Sequence, residues 1–404
     1  MAIDRRSFLT TAAVAAPAFG RRARAQGAAQ DTLRVGVLTD LSGSYSDTSG
    51  PTSVACARQA VQDFAGSHAT RVEVLAGDHQ NKPDVGAAIA RQWFDSGVDV
   101  ITDVPNSAVA LAVNSIAAER NKAYLNTGAA STALTASCPG NTIHWGYNTT
   151  MLASSAGANV KAGGRTWFFV VADYVFGRDL TETATSFVNK AGGQVLGSVA
   201  YPFPSTTDFS SFLLQAQASG ADVVAFGNAG ADAVNCVKQA HEFGLTRGGK
   251  RLAAMLAFIQ VIHSLGLDTA QGLLLTESFY WDLNPRTRAF MDRIKGKLGG
   301  NSVSTEQAAT YAATLHYLKA AADVGVPAAK ASGAAAVARM KAMPADDDCY
   351  GSIRIRQDGQ AMHPAYLFEC KTPAQSRGPW DLYNLVATIP AEEANPPLGA
   401  CKPA

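Results

Sequence analysis

The alternation of strand-like and helix-like segments constrains the fold of this chain more than any other feature. Its clearest unit lies between Leu33 and Phe64. The apolar run LRVGVL predicts a buried strand. A polar loop with glycines follows, and apolar residues then recur at helical spacing from Val54 onward. A strand, a polar loop and a helix in this order predict one unit of a parallel α/β sheet.

The same unit recurs along the chain and restarts once. Further buried strands are predicted at 72–76, 98–102, 123–126, 166–171, 194–201, 222–226 and 252–256. Helices are predicted between them and again at 286–298 and 307–324, and the last two strands, 353–356 and 366–369, are predicted to close around a turn at Asp358-Gly359. The chain is longer than one core usually covers, so we expect an α/β protein with two doubly wound lobes. No linker-like segment separates the lobes, which predicts several crossings between them.

The N-terminus has the features of an export signal. Arg5 and Arg6 lie in the motif DRRSFL, an apolar region covers residues 8–19, and an A-x-A cleavage site covers residues 23–25. These features predict a twin-arginine signal peptide at residues 1–25 and a periplasmic protein. The apolar region is shorter than the roughly 20 residues that a membrane span needs. No later segment is apolar enough to span a membrane, so none is expected in the mature chain.

Charge and cysteine spacing exclude several function classes. The formal net charge is +1, and the chain has no basic cluster with interleaved aromatic residues, so no nucleic-acid partner is expected. The six cysteines form no CxxC or similar spacing, which argues against a metal site. Export permits disulfides, and two pairings are open. Cys138 and Cys401 lie in predicted loops, whereas Cys349 and Cys370 flank the predicted closing strands; we predict the Cys138–Cys401 pair.

Catalytic and cofactor motifs are absent from the sequence. Neither a G-x-S-x-G elbow nor an HExxH pair occurs, and the seven histidines are scattered. The first polar loop lacks the GxxxxGK[ST] and GxGxxG patterns that bind phosphates and dinucleotides. We therefore expect a protein that is not an enzyme and needs no cofactor and no metal.

Polar loops recur where predicted strands end and helices begin. Ligands of open α/β sheets bind beyond the carboxyl ends of strands, and free N–H groups at helix starts attract anions. In the first lobe the candidate binding residues are Ser42, Ser44, Asn106, Ser107, Thr127 and Ser131. In the second lobe they are Tyr174, Phe176 and Phe258, whose rings suit an organic body, together with Asn228. The alternative for each loop is ordinary helix capping.

Taken in order, several segments resemble those of a known family. The segments are LRVGVLTDLSGSYSD, DVITDVPNSAVALAVNSIAAERNKAYLNTGAAS, VVADYVFGRDL, GADVVAFGNAGADAVNCVKQAHEFGL and GLLLTESFYWDLN. Together they resemble a substrate-binding protein of an ABC importer, of the leucine/isoleucine/valine-binding type. The resemblance implies the type I periplasmic binding protein fold, with two Rossmann-like lobes joined by a three-crossing hinge that close on a small-molecule ligand. It also implies a monomer whose partner is an ABC permease in the inner membrane.

The resemblance also assigns segments and residues. It implies a first lobe of residues 31–149 and 282–360, a second lobe of residues 150–281 and 361–390, and a tail at 391–404. The loop from Ser42 to Tyr45 would border the ligand, and Asn106 and Ser107 would meet its carboxylate. Ala129 and Ser131 would contact carboxylate and ammonium. The second lobe would contribute Tyr174 or Phe176, together with Asn228.

One position departs from that family. Its amino-acid binders hold the ligand ammonium with a glutamate after the strand that ends here at Leu256, where this chain has Phe258 and no acid at 257–260. Asp173 or Asp232 is the alternative partner. Because an unpaired buried ammonium is costly, the sequence predicts that a plain carboxylate or amide binds better than the matching amino acid. The ligand class stays open among amino acids, aromatic or short organic acids and amides. The alternative functions are a sensor subunit for a signalling receptor and an exported α/β hydrolase.

Overall fold

The computed structural model describes residues 32–161, 163–398 and 401. The predicted signal peptide lies outside the described residues. Within the described part, no helix is both long and apolar enough to cross a membrane.

The first lobe is built on a five-stranded parallel sheet with the order β2-β1-β3-β4-β5. Its strands are β1 (Thr32–Thr39), β2 (Arg71–Asp78), β3 (Val100–Asp103), β4 (Ala123–Asn126) and β5 (Thr142–His144). The connecting helices are α1 (Gly50–Ala65), α2 (Pro83–Asp95), α3 (Ser107–Glu119) and the short α4 (Ala133–Ala136). β3 and β4 are buried along their whole length, including the polar residues Thr102, Asp103 and Asn126 at their carboxyl ends, because helices cover both faces of a parallel sheet.

The second lobe repeats this plan with a four-stranded parallel sheet of order β7-β6-β8-β9. Its strands are β6 (Thr166–Ala172), β7 (Gln194–Tyr201), β8 (Val223–Gly227) and β9 (Arg251–Ala254). Its helices are α5 (Thr149–Lys161), α6 (Val175–Lys190), α7 (Ser210–Ala218), α8 (Gly230–Glu242), α9 (Ile259–Leu265) and α10 (Leu267–Ala270). Both sheets carry helices on their two faces, so the predicted α/β class with two doubly wound lobes is confirmed.

The remaining chain returns to the first lobe and then crosses again. The returning helices are α11 (Pro285–Ile294), α12 (Thr305–Val324), α13 (Val326–Ala331) and α14 (Gly333–Ala342). A small antiparallel sheet follows, made of β11 (Ala345–Asp347), β12 (Gly351–Ile355) and β13 (Ala361–Met362). A second antiparallel sheet pairs β10 (Leu274–Glu277) with β14 (Ala365–Cys370) and β15 (Tyr383–Ile389), before the last helix, α15 (Ala391–Ala394). The chain thus passes between the lobes after β5, after β10 and between β13 and β14.

Helix α12 is buried among the other elements of the first lobe. Its alanine-rich sequence lets neighbours approach closely, and nearly all of its residues are buried against α1, α14 and the sheet. It begins with a capping box, in which Ser304 and Gln307 satisfy each other's backbone N–H groups. This cap fixes the position of the first helical turn, which lies next to the candidate site.

One predicted pairing is wrong. The turn at Asp358-Gly359 exists, but it joins β12 to the two-residue strand β13, and β14 instead pairs with β10 and β15. The two predicted closing strands therefore belong to different sheets. The sequence-based prediction also missed β15, because its outward residues are mostly apolar and give no alternating pattern.

The predicted disulfide is confirmed. Cys138 and Cys401 are bonded, with their Cα atoms 5.6 Å apart. Cys349 and Cys370 are separate buried thiols, so the alternative pairing is wrong. The bond ties the segment after α15 to the loop between α4 and β5.

Candidate functional site

A small pocket lies where the carboxyl ends of the two parallel sheets face each other. Loops after β1, β3 and β4 form one side, and loops after β6, β8 and β9 form the other. Its lining residues are Tyr45, Thr48, Pro105, Ser107, Ala130, Tyr147, Tyr174, Phe176, Ala229, Leu256 and Glu306. About 10 Å³ is open to the centre of a water molecule, which is room for about one water. The two lobes are therefore in a closed arrangement.

Aromatic side chains from both lobes meet in this pocket. The hydroxyl oxygens of Tyr45 and Tyr174 lie 2.7 Å apart, and both rings stack on Phe203, with centroid distances of 5.4 and 5.0 Å. Burial raises the pKa of both tyrosines, so their hydroxyls stay neutral and can donate hydrogen bonds. Tyr45, Tyr174 and Phe176 were predicted from the sequence, and Phe203 was not.

The start of α3 presents one hydroxyl to the pocket. Ser107 lines the pocket, and its side chain has no hydrogen-bond partner among the described residues. The neighbouring Asn106 does not line it, because its side-chain oxygen accepts from the N–H groups of Ala108 and Val109. Asn106 is thus an ordinary helix cap, the alternative that the sequence left open, and Ser107 is the free donor.

The loop after β4 is mostly engaged elsewhere. Thr127 shares a 2.7 Å hydrogen bond with Thr310, Ala129 is bonded to the Asn126 side chain, and only Ala130 lines the pocket. Ser131 donates to the Asp179 carboxylate of α6 at 2.9 Å, which links the lobes.

The loop after β1 also links the lobes. Ser44 donates to Asp232 at 3.3 Å, and its carbonyl accepts from the Ala231 N–H at 2.9 Å. Ser42 is exposed and donates to Asp78 at 2.6 Å. The Asp40 carboxylate accepts from the N–H groups of residues 42, 43 and 45, which holds the loop in shape.

Two predicted residues of the second lobe lie near the pocket but contact other side chains. Asn228 donates to Cys236 Sγ at 3.1 Å, and Phe258 packs edge-on against Tyr147 at 4.8 Å. Neither lines the pocket.

The two acids offered as ammonium partners lie elsewhere. Asp173 is exposed and paired with Arg178 at 2.9 Å. Asp232 is buried and accepts from the Tyr201 hydroxyl at 2.8 Å, and burial raises its pKa to about 6. Asp232 contacts Ser44 beside the pocket but does not line it.

An acid that the sequence analysis missed does line the pocket. Glu306, in the first turn of α12, is 1% exposed; its Oε1 atom has no hydrogen-bond partner among the described residues, and its carboxyl group interacts with the Tyr147 hydroxyl. It lies beside Asp103 at the end of β3. The sequence predicts this helix only from Gln307 onward, but the capping box that begins at Ser304 would have placed Glu306 in the first turn. An acid in a first helical turn ordinarily interacts favourably with the helix dipole, so its position alone does not indicate a role in the pocket.

The described residues contain no group of three or more histidine, cysteine, aspartate or glutamate side chains that could hold a metal ion. What the pocket offers is hydroxyl donors, one carboxyl group and aromatic or aliphatic walls. This arrangement suits the binding of a small polar organic molecule.

Comparison with known proteins points to one family. The model of the periplasmic binding protein family matches residues 32–378. None of the curated protein sequences matches this chain.

Solved structures extend this likeness. A periplasmic binding protein from Burkholderia mallei is 43% identical, with a TM-score of 0.86 over 91% of this chain and 96% of that one. A branched-chain amino acid ABC transporter periplasmic ligand-binding protein from Burkholderia xenovorans is 37% identical, with a TM-score of 0.77 over 90% and 96%. A solute-binding protein of an ABC transporter from Rhodopseudomonas palustris, in complex with p-hydroxybenzoic acid, is 22% identical, with a TM-score of 0.79 over 89% and 98%; at this identity the likeness shows the fold alone.

Proposed function

This chain belongs to the periplasmic binding protein family, and we propose that it is the solute receptor of an ABC importer. It binds a small carboxylate-type ligand between its lobes and presents the closed form to a membrane permease. The relative from Burkholderia xenovorans supports the transport role, since it is an ABC transporter ligand-binding protein.

The residues that line the pocket support this proposal. Ser107 offers an unpaired hydroxyl at the N-terminus of α3, where the positive end of the helix dipole favours an anionic group. Tyr45, Tyr174 and Phe176 supply neutral hydroxyls and ring surface for the rest of the ligand. We place the ligand carboxylate at Ser107 and its organic body against these rings.

Ligand binding favours closure because residues of both lobes line the pocket. A ligand that touches both sides binds the closed form more tightly than the open form and shifts the population towards it. The moving units in this proposal are residues 31–149 with 282–360 and residues 150–281 with 361–390, and the receptor acts as a monomer. Export by the twin-arginine signal at residues 1–25 places it in the periplasm.

The ligand classes to compare are amino acids, aromatic or short organic acids, and amides. A thermal-shift screen of these compounds on the mature chain identifies binders, and calorimetry gives their affinities.

The Ser107→Ala variant should bind the best carboxylate at least about tenfold more weakly, because the buried ligand carboxylate loses a hydrogen-bond donor. Ser115→Ala is the matched control, since Ser115 lies on the exposed face of the same helix. If no compound of any class binds, or if Ser107→Ala binds as the wild type does, the proposed ligand site is wrong.

A further inference from the structure

A second and larger cavity lies beside the chain crossing that follows β10. One wall is formed by α11 and the segment between α11 and α12, and the other by the loop between β14 and β15. About 660 Å³ of this cavity is open to the centre of a water molecule, a volume within the range of sites that bind small organic molecules. The cavity shares no lining residue with the small pocket between the lobes.

Two half-buried tryptophans, Trp281 and Trp380, form the apolar part of the lining, and we call this space the tryptophan cavity. The Trp281 indole N–H donates to the Trp380 carbonyl at 2.7 Å, and the Trp380 indole N–H donates to the Gly300 carbonyl at 3.1 Å. The His263 ring also stacks on Trp380, with a centroid distance of 3.9 Å. These contacts hold both indoles in place, so a ligand pays little ordering entropy to use them. Because both N–H groups are engaged, the indoles offer ring surface and no free donor.

One buried hydroxyl in the lining has no partner. Ser302 is 1% exposed, and its Oγ atom has no hydrogen-bond partner among the described residues. Its backbone is fixed, since its N–H donates to Asn301 Oδ1 and its carbonyl accepts from Gln260 Nε2, both at 2.8 Å. A buried hydroxyl without a partner is unfavourable, and a polar group on an occupant of the cavity would supply that partner.

The charges around the cavity compensate one another. Every charged lining residue has an opposite charge within 4 Å: Asp282 pairs with Arg288, Asp292 with Lys295, and Asp381 with Arg377 and Lys371. No counter-charge is left for a ligand, so an anion or a cation would have to compete with an existing pair. The lining therefore suits an uncharged occupant.

We propose that the tryptophan cavity is a second binding site of this protein, for a small uncharged aromatic molecule that carries a hydroxyl or amide group. The ligand ring packs against Trp281, Trp380 and Met291, and its polar group pairs with the Ser302 hydroxyl. This inference goes beyond the proposed function and does not depend on it.

Benzyl alcohol and toluene are the probes, because they share a ring and differ in one hydroxyl group. Ligand-observed NMR titration on the mature chain measures the affinity for each. Ser302→Ala should reduce the preference for benzyl alcohol over toluene by about fivefold or more, since it removes the partner of the alcohol and keeps the ring contacts. Ser115→Ala, on an exposed helix face, is the control and should leave this preference unchanged.

Two further measurements test the class and the place of the ligand. Benzoate and benzylammonium, which carry a charge on the same ring, should compete for the cavity at least about tenfold less well than benzyl alcohol. In a crystal of the mature chain soaked with 4-bromobenzyl alcohol, the anomalous signal of bromine should lie between Trp281 and Trp380. Met291→Trp fills the cavity from α11 and should remove the binding of both probes, with thermal melting to confirm that the variant is folded.

Several results would overturn this inference. They are no binding of either probe to the wild type, bromine only in the pocket between the lobes, and tighter competition by a charged compound. Equal weakening of both probes by Ser302→Ala would show that Ser302 supports the fold alone. A dimer in solution that Met291→Trp disrupts would assign the cavity to a second copy of the chain. Each of these results leaves the proposed receptor function standing, because that function depends on different residues.

Discussion

Gly230 is the position where a single added methyl group should disfavour closure. A Cβ atom placed on Gly230 would lie 2.0 Å from the Ser44 carbonyl oxygen, 3.0 Å from its carbon and 3.2 Å from Tyr45 Cδ1. Ser44 and Tyr45 belong to the first lobe and Gly230 to the second. The overlap therefore exists only when the lobes are closed, and opening the lobes relieves it.

The size of the effect follows from two contributions. Gly230 has a φ of 56°, so alanine adds left-handed backbone strain of about 1 kcal/mol or more in the open and closed forms alike. The clash acts on the closed form alone and also breaks the adjacent bond from the Ala231 N–H to the Ser44 carbonyl, worth about 1 kcal/mol. Together, clash and lost bond should cost closure about 2 kcal/mol, which weakens ligand binding by about 30-fold.

Gly220→Ala is the matched control for Gly230→Ala. Gly220 lies in the same lobe and has a φ of 73°, but a Cβ atom there meets nothing within 4 Å. It therefore adds the strain without the clash. Calorimetry with a ligand from the thermal-shift screen measures affinity, and small-angle X-ray scattering measures whether the ligand still compacts the protein. If both variants bind and compact alike, the contact between Ser44 and Gly230 does not form in the closed receptor.

Two further predictions concern pH and export. Burial raises the pKa of Glu277, between the lobes, to about 7, so its folded form binds a proton more tightly than the unfolded chain does. This preference adds to the free energy of unfolding below about pH 4.5, and the contribution is lost as the pH rises towards 7. The free energy of unfolding of the wild type, measured with denaturant, should therefore fall by an amount on the order of 3 kcal/mol over this range, whereas that of Glu277→Gln should not. Parallel pH curves for the two proteins would contradict this prediction. Changing both Arg5 and Arg6 to lysine should leave precursor in the cytoplasm, as cell fractionation measures, and normal periplasmic yield of this variant would exclude the twin-arginine route.

The sequence predicted the parallel sheets because their signals are local. Each buried strand is a short apolar run and each helix has its own periodicity, so neither needs knowledge of distant residues. The antiparallel pairing of β14 depends instead on β10, about ninety residues earlier, with Leu274 opposite Glu369. The nearby turn at Asp358-Gly359 suggested the wrong partner, because a turn determines only the immediate pairing of its flanking residues.

Part of the pocket lining was predicted from the sequence, for a related reason. Tyr45, Ser107, Tyr174 and Phe176 follow strand ends, where the fold class itself directs loops towards the pocket. Asn106 follows the same rule, but its side chain caps α3, since an exposed helix start needs an acceptor whether or not a ligand binds. Glu306 follows no such rule, because it reaches the pocket through the packing of α12 against the first sheet.

In the closed arrangement, any ligand must offset the free-energy cost of separating side chains that already contact each other. Tyr45 and Tyr174 already share a hydrogen bond and stack on the same Phe203 ring, and the space beside them holds about one water. A ligand the size of an amino acid must separate these side chains to enter. It therefore forfeits part of a hydrogen bond and of two stacked pairs, each worth about 0.5–1.5 kcal/mol. A ligand that only replaces these contacts gains nothing from closure. A ligand group that accepts from the Ser107 hydroxyl, which has no partner among the described residues, offers an interaction that the closed lobes do not make with each other, and that difference favours a ligand with a carboxylate over one of the same shape without it.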